Sequence, residues 1–446
     1  MKKVLILGAG LVAKPLVEYL LEKGFAVMIA TSTKEKADRL IKDHPLGSSM
    51  KWTMDDKETL DRLVKENDIT VSLLPYRYHT DVAIICIKHR KSLVTTSYVQ
   101  PEMQALDEEA KKAGVILLNE TGLDPGIDHM SAMKIIDHIH SQGGNVEEFY
   151  SMCGALPARE AAGNPLGYKF SWSPKGVILA SRNSALYLKK GKRVSIEPVS
   201  LFRDRFTYFF PGVGDLEVYP NRDSISYIDI YGIPEAKTIY RGTFRFKGWC
   251  ETLDLMKSLN MLDDAVSDFS GMTYAQFIAA MTGSGKVTEG LREKVAERAG
   301  IHPGSAAIKS LEWLGFFSEE ELPYSDTTPF EITSARMIEK MSLSANERDM
   351  VVLQHIFLAS YPDGKKEVIK SGMTDFGTPA TNTAVARTVA YPAAIAVKMI
   401  LDATLKLTGV YRPVVSEIYE PLLSELESLG IAMKEEYGLP PDQMIR

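Results

Sequence analysis

Val4-Leu-Ile-Leu-Gly-Ala-Gly-Leu-Val-Ala13 is the stretch whose reading decides the fold. Its four leading apolar residues read as a buried strand, and Gly8-Ala-Gly10-Leu-Val-Ala13 fits G-x-G-x-x-G/A. Gly8 permits a tight turn, Gly10 lets backbone N–H groups approach a pyrophosphate, and Ala13 keeps the next helix close to the sheet. The N-terminus of that helix then faces the phosphates. A glycine turn alone is a weak signal. Here it follows the first strand and precedes an amphipathic helix through Lys23 and a second strand from Phe25 to Ala30, the context of a dinucleotide-binding unit.

The end of the second strand discriminates between cofactors. An acidic residue there would hold a ribose 2′-hydroxyl, whereas a 2′-phosphate needs hydroxyl or cationic donors. The chain reads Ala30-Thr-Ser-Thr-Lys34, with no acid before Glu35. Thr31, Ser32 and Thr33 can donate and Lys34 or Lys36 can supply charge, so NADP(H) is expected, with NAD the weaker alternative. The competing reading is that these residues only cap the next helix, a role open to Thr33.

Working outward, helices at about 56–66, 79–89 and 101–113 alternate with strands Ile69 to Leu74, Ser92 to Thr95 and Val115 to Leu118. Such alternation makes a doubly wound parallel α/β sheet. Its crevice collects the strand-end loops Gly8 to Leu11, Leu74-Pro75, Thr96-Ser97-Tyr98 and Leu123-Asp124-Pro125. The last belongs to Asn119-Glu-Thr-Gly-Leu-Asp-Pro-Gly-Ile-Asp-His129, a strand-to-helix junction whose glycines and proline turn the chain while Asp124 presents a carboxylate.

Beyond Asp128 the composition becomes aromatic and β-rich. Strands are expected at Glu148 to Cys153, Val194 to Ile196, Leu216 to Tyr219, Ile225 to Tyr231 and Thr238 to Phe246. Helices follow from about Thr252 to Met341, a turn-rich return around Ser371-Gly-Met-Thr-Asp-Phe-Gly-Thr378, and long helices at roughly 381–407 and 417–429.

With 446 residues, 45% hydrophobic and 25% charged, the chain can bury two or three cores and is not of disordered composition. A net charge of -6 argues against nucleic acid as partner and leaves small molecules. Three cysteines, Cys86, Cys153 and Cys250, without CxxC or a secretory apolar region, fit a reducing, cytoplasmic setting. The apolar run Ala393 to Leu401 is interrupted by Lys398, so no membrane span is expected. His129 and His138-x-His140 lack H-E-x-x-H or clustered carboxylates, so no metal site is expected. Asp375-Phe-Gly377 matches a kinase tripeptide without the accompanying H-R-D and is read as chance. Cys153 reads either as a small buried hydrophobe or as the wall of a substrate pocket. Arg222 and Arg245 read either as solvated arginines or as forks for an acidic substrate.

Gly8-Ala-Gly10, Ser72-Leu-Leu-Pro-Tyr76, Thr95-Thr-Ser-Tyr98, Asn119 to His129, Asn164-Pro-Leu-Gly-Tyr-Lys-Phe-Ser-Trp172, Tyr219-Pro-Asn-Arg-Asp223 and Ile233-Pro-Glu-Ala236 together resemble the saccharopine reductases. These are the NADP-dependent, L-glutamate-forming saccharopine dehydrogenases of lysine metabolism. The resemblance is dense through about Arg245, thin from about Thr252 to Ala345, and visible again from Thr378 to Glu427.

The resemblance implies a split Rossmann domain at 1–125, completed by about 378–446. It also implies an α/β substrate domain with a mixed sheet at 126–251 and about 346–377, and a helical insertion at 252–345. It implies NADP contacts at Ala9, Gly10, Leu11, Val12, Ala30, Thr31, Ser32, Leu74, Thr96, Ser97, Leu123, Asp124, Pro125 and Ser173. Saccharopine contacts are implied at Ser97, Tyr98, Asp124, Arg222, Thr243, Phe244 and Arg245. Asp124, Tyr98 and Cys153 are the candidates for proton handling. The expected reaction joins glutamate and 2-aminoadipate 6-semialdehyde through an imine to saccharopine, in a homodimer. Two alternatives are a related imine reductase, such as a carboxynorspermidine dehydrogenase, and a non-catalytic dinucleotide-binding protein. Two departures stand out: fungal members carry Ala-Cys-Arg where this chain has Ala30-Thr31-Ser32, and Arg159 is added in Cys153-Gly-Ala-Leu-Pro-Ala-Arg-Glu160.

Overall fold

The computed structural model describes residues 1–283 and 289–445. It divides into two compact units, one of Met1–Glu148, Asp229–Glu235 and Leu353–Arg446, the other of Phe149–Ile228 and Ala236–Val352.

The first unit holds a seven-stranded sheet. Strands β1 (Lys3–Leu7), β2 (Ala26–Thr31), β3 (Gly47–Lys51), β4 (Ile69–Ser72), β5 (Ser92–Thr95) and β6 (Ile116–Leu118) are joined by Gly409–Tyr411 beyond β6. The order is Gly409–Tyr411, β6, β5, β4, β1, β2, β3, and every pairing is parallel. Because β1 lies between β2 and β4, the winding reverses at its carboxyl end, where ligands bind in such sheets. Val4, Leu5, Ile6 and Leu7 are fully buried, as a continuous apolar run in a sheet covered on both faces requires. Helix α1 (Ala13–Glu22) starts directly after the glycine turn and buries Ala13, Leu16, Val17 and Leu20. Helices α2 (Lys34–Ile41), α3 (Lys57–Glu66) and α4 (His79–Lys88) supply the crossovers. Asp56 caps α3 by accepting from Thr59 N at 3.0 Å.

The helix Ala384–Leu401 is long and apolar enough to cross a membrane by length and composition, and 67% of that window is buried inside the protein. It packs on α1, β4 and β5.

The second unit is built on a mixed sheet with helices. Phe206–Phe210, Gly214–Pro220 and Thr238–Arg245 pair antiparallel in sequence, and the hairpin Ala185–Lys189/Lys192–Ile196 joins at Ile239. Five helices of eight or more residues follow, among them Trp249–Ser258 and Pro329–Met341. Thr273 and Gln276 form a reciprocal capping box, and Thr328 caps the Pro329 helix through Glu331 N at 3.1 Å.

Several expected elements differ. Ile225 to Tyr231 is not a strand: Tyr227–Tyr231 is a short helix. Asp223 Oδ1 accepts from Ile225 N at 2.8 Å, which turns the chain, and Tyr227 and Tyr231 are then buried one helical turn apart. The Ser371–Thr378 region is not a turn either. Lys366–Phe376 is a strand paired with Lys434–Leu439, burying Ser371, Met373 and Asp375 at period two. The 101–113 helix breaks into Pro101–Gln104 and Asp107–Ala113. Thr33 occupies the N-cap position of α2 without a side-chain capping bond.

Candidate active site

The carboxyl ends of β1, β4, β5 and β6 converge because these strands are parallel neighbours. Gly8, at φ 104, lets the Leu73 carbonyl approach to 3.2 Å from where a Cβ would stand, and its N–H donates to Ala30 O at 2.9 Å. No heavy atom lies within 4 Å of the corresponding position on Gly10. That open backbone face at the start of α1 is the space a pyrophosphate needs. At the end of β2, Thr31 is buried and Ser32 exposed. Lys34 is committed to Asp38 at 2.8 Å, and Asp38 also takes the Ser49 hydroxyl. Lys36, exposed on the same helix turn, has no ion-pair partner among the described residues. The end of β2 therefore offers hydroxyls and the Lys36 cation, with no carboxylate on the strand itself; the acids Glu35 and Asp38 lie on α2.

The Asn119–His129 junction carries the densest polar geometry of the first unit. Glu120 N donates to Ser97 O at 3.2 Å and Thr121 N to Thr95 O at 3.2 Å, so the loops after β5 and β6 are tied together. Asp124 precedes a cis Pro125, and Gly126, at φ 148, has a Cβ position 2.0 Å from Gly122 O, leaving no room for any side chain. Asp128 Oδ1 accepts from Gly126 N at 2.6 Å and so closes the turn. Across the junction the Tyr98 hydroxyl donates to Asp124 Oδ1 at 2.9 Å.

Two buried networks hold these loops. Glu120 is buried in a left-handed conformation, φ 59. Its Oε1 accepts from Val99 N at 2.8 Å and Arg412 Nε at 2.9 Å, and its Oε2 meets His129 Nε2 at 2.7 Å. Burial alone would raise its pKa, yet the His129, Arg412 and Val99 contacts outweigh that and hold the carboxyl below its ordinary value. His129 Nδ1 bonds the Tyr231 hydroxyl at 2.7 Å. His79, at the start of α4, lies between Ser72 Oγ and Ser97 Oγ, each at 2.9 Å, with Thr95 Oγ1 at 3.2 Å. Burial among hydroxyls brings its pKa down to about 4, so the ring is neutral at physiological pH.

In the second unit Arg245 is buried, 5% exposed, at the end of Thr238–Arg245. Its guanidinium carbon lies 4.9 Å from the Tyr168 ring centre, 5.5 Å from Trp249 and 6.0 Å from Tyr219. Nη1 donates to Phe244 O at 2.8 Å, Nε has no partner, and no carboxylate pairs with it among the described residues. Arg245 is therefore not a solvated surface arginine. Cys153, a buried free thiol on Asn145–Pro157, lies within electrostatic reach of this guanidinium. Cys153 is thus buried and beside Arg245. Phe244 keeps its ring in the core beside Tyr208 and Phe210. Arg222 is exposed at φ 52, and its carbonyl accepts from Leu186 N at 2.8 Å. Thr243 stands opposite Tyr219 in the ladder, and Ser173 is the exposed N-cap residue of Pro174–Leu179.

Among the described residues no group of three His, Cys, Asp or Glu is placed to hold a metal ion.

Comparison with known proteins bears on the whole chain. Residues 4–118 match the saccharopine dehydrogenase NADP binding domain, and residues 122–431 match the saccharopine dehydrogenase C-terminal domain. The chain belongs to the saccharopine dehydrogenase family. It is 37% identical over 449 residues to the L-glutamate-forming, NADP(+) saccharopine dehydrogenase of Schizosaccharomyces pombe, covering 98% of this chain and 99% of the relative. It is 38% identical over 444 residues to the Saccharomyces cerevisiae protein of the same name, covering 97% and 99%. The solved apo structure of the L-Glu-forming saccharopine dehydrogenase from Saccharomyces cerevisiae superposes with a TM-score of 0.90 at 36% identity, covering 98% of this chain and 100% of that one.

Within the family's NADP-binding segment lie Gly8 to Val12, Ala30 to Ser32, Leu74, Thr96, Ser97 and Tyr98. Its C-terminal segment takes in Leu123, Asp124, Pro125, Cys153, Ser173, Arg222 and Arg245. The structure adds His79, Glu120 and Arg412, which the motif reading did not single out. The one sequence signal, for His79 alone, is the presence of Ser72 and Thr95 at the carboxyl ends of β4 and β5. Such buried hydroxyls require a polar partner.

Proposed function

We propose that this chain interconverts glutamate plus 2-aminoadipate 6-semialdehyde and saccharopine with NADP(H), in lysine metabolism. Full-length similarity to L-glutamate-forming saccharopine dehydrogenases carries the reading, and it covers both the nucleotide turn and the Arg245 region. The open backbone at Gly10 and the acid-free end of β2 fit NADP(H), whose reduced form when bound would supply the hydride for the imine carbon.

The protein's own part is positioning and proton handling. The glutamate amine must lose a proton before it attacks the aldehyde. Asp124 accepts the Tyr98 hydroxyl through Oδ1, which joins a carboxylate and a phenol in one hydrogen-bonded pair. The pair can take that proton and return one to the carbinolamine oxygen as water leaves. Arg245 anchors a substrate carboxylate, since a buried guanidinium without an acid is completed by an anionic ligand. Arg222 binds a second carboxylate. Three buried free thiols support a reducing, cytoplasmic setting, and the homodimer expected from the family is read by sedimentation equilibrium.

The test is oxidation of saccharopine by NADP+ with glutamate identified as product. NADPH formation without glutamate release would remove this assignment.

A further inference from the structure

Among the buried polar atoms of the second unit that lack a hydrogen-bond partner are Tyr168 Oη, Ser171 Oγ, Trp172 Nε1, Arg245 Nε and Trp249 Nε1. Buried polar groups are nearly always paired, so such a group of orphans asks for a missing partner. All of these side chains but that of Ser171 meet one another. The Tyr168 and Trp249 rings lie 4.5 Å apart with the Arg245 guanidinium beside both, and the Trp172 indole sits by the Tyr168 hydroxyl without completing a bond to it.

The chemistry of these atoms is one-sided. Indole N–H and guanidinium groups only donate, and the two hydroxyls can do so. A water molecule could accept from two of the three donor-only groups and donate back to a hydroxyl oxygen, which leaves the third donor-only group without an acceptor. A carboxylate has about four lone-pair sites and no hydrogen, and so matches the set.

We infer that Trp172 and Tyr168 are specificity-determining donors, binding through Nε1–H and Oη–H the same substrate carboxylate that Arg245 holds. This deepens the proposed function and rests on it. A carboxylate so placed meets several donors away from water. A neutral amide in its place would bring an N–H against the two indoles and the guanidinium, which cannot accept, so these groups select acids over amides.

Trp172→Phe removes the donor and keeps an aromatic ring, and Tyr168→Phe does the same for the hydroxyl. Each should raise the KM for saccharopine by about tenfold, with kcat within about threefold and the Kd for NADPH unchanged. A merely structural role would lower Tm without this split. In the wild-type enzyme carrying nitrogen-labelled tryptophan, the Trp172 indole N–H resonance should move on adding saccharopine and stay in place with NADPH alone. This second readout needs no variant to fold. Unchanged KM in both folded variants, or an indole resonance indifferent to saccharopine, overturns the inference. Absence of wild-type turnover would instead remove the functional assignment on which it stands.

Discussion

Tyr98 and Asp124 meet at 2.9 Å, hydroxyl to carboxylate, although they sit on loops after two different strands of the parallel sheet. The sheet sets this pairing: Thr121 N bonds Thr95 O and Glu120 N bonds Ser97 O, so the two loops cannot slide relative to one another. Asp124→Asn removes the proton acceptor and keeps the turn. We expect kcat/KM to fall by about 10²–10³ and the acidic limb of its pH profile to disappear. Tyr98→Phe should fall less, because Asp124 keeps its charge. Wild-type kinetics in Asp124→Asn would reduce that residue to a turn-former.

His79 makes a prediction about acid. Its folded-state pKa of about 4 lies below the ordinary 6.5, so protons bind the unfolded chain first. Stability should therefore fall as pH drops from 6.5 toward 4, by at most about 3 kcal/mol from this group. His79→Gln keeps a neutral hydrogen-bonding side chain and should flatten that part of the profile. It should also lower kcat/KM, since the Ser97 hydroxyl loses the ring that orients it. A profile identical to wild type would mean that His79 is not buried against those hydroxyls.

Glu120 predicts the opposite behaviour of a carboxylate. Its pKa is held below the ordinary 4.5, so its contribution is present at neutral pH and is lost as pH falls below that value. Glu120→Gln leaves His129 and Arg412 facing a neutral amide in a buried site, which should cost about 3 kcal/mol in urea unfolding at pH 7. A cost under about 0.5 kcal/mol would show that the Arg412 contact is solvated.

The end of β2 tests cofactor choice. Ser32→Asp places a carboxylate where a 2′-phosphate would lie and should shift the NADPH/NADH preference toward NADH by about tenfold or more. Lys36→Ala should weaken NADPH binding modestly without touching NADH. An unaltered ratio in both variants would place the phosphate elsewhere.

Much of this was legible in the residues, for physical reasons. β1 and β4 to β6 are short apolar runs because both faces are covered, and the Gly8 turn announces itself by its spacing. β3, Gly-Ser-Ser-Met-Lys, was not legible: it is a polar edge strand whose identity comes from pairing with β2. Ile225 to Tyr231 alternates like a strand, and only the Asp223 side chain, bonding forward to Ile225 N, makes it turn. Of the site, Asp124 and Tyr98 could be found from motifs. The partners that hold their loops could not, since His79 meets Ser97 over 18 residues and Arg412 meets Glu120 over 292. Arg245 could be named but not judged, because its burial depends on Tyr168, distant in sequence, as well as on nearby Trp249.

The most direct measurement is NADPH consumption with glutamate and 2-aminoadipate 6-semialdehyde supplied together and separately, the product identified by mass. Oxidation is expected only with both present, with saccharopine as the product. Oxidation that needs no glutamate, or that runs with a diamine in place of glutamate, would contradict it.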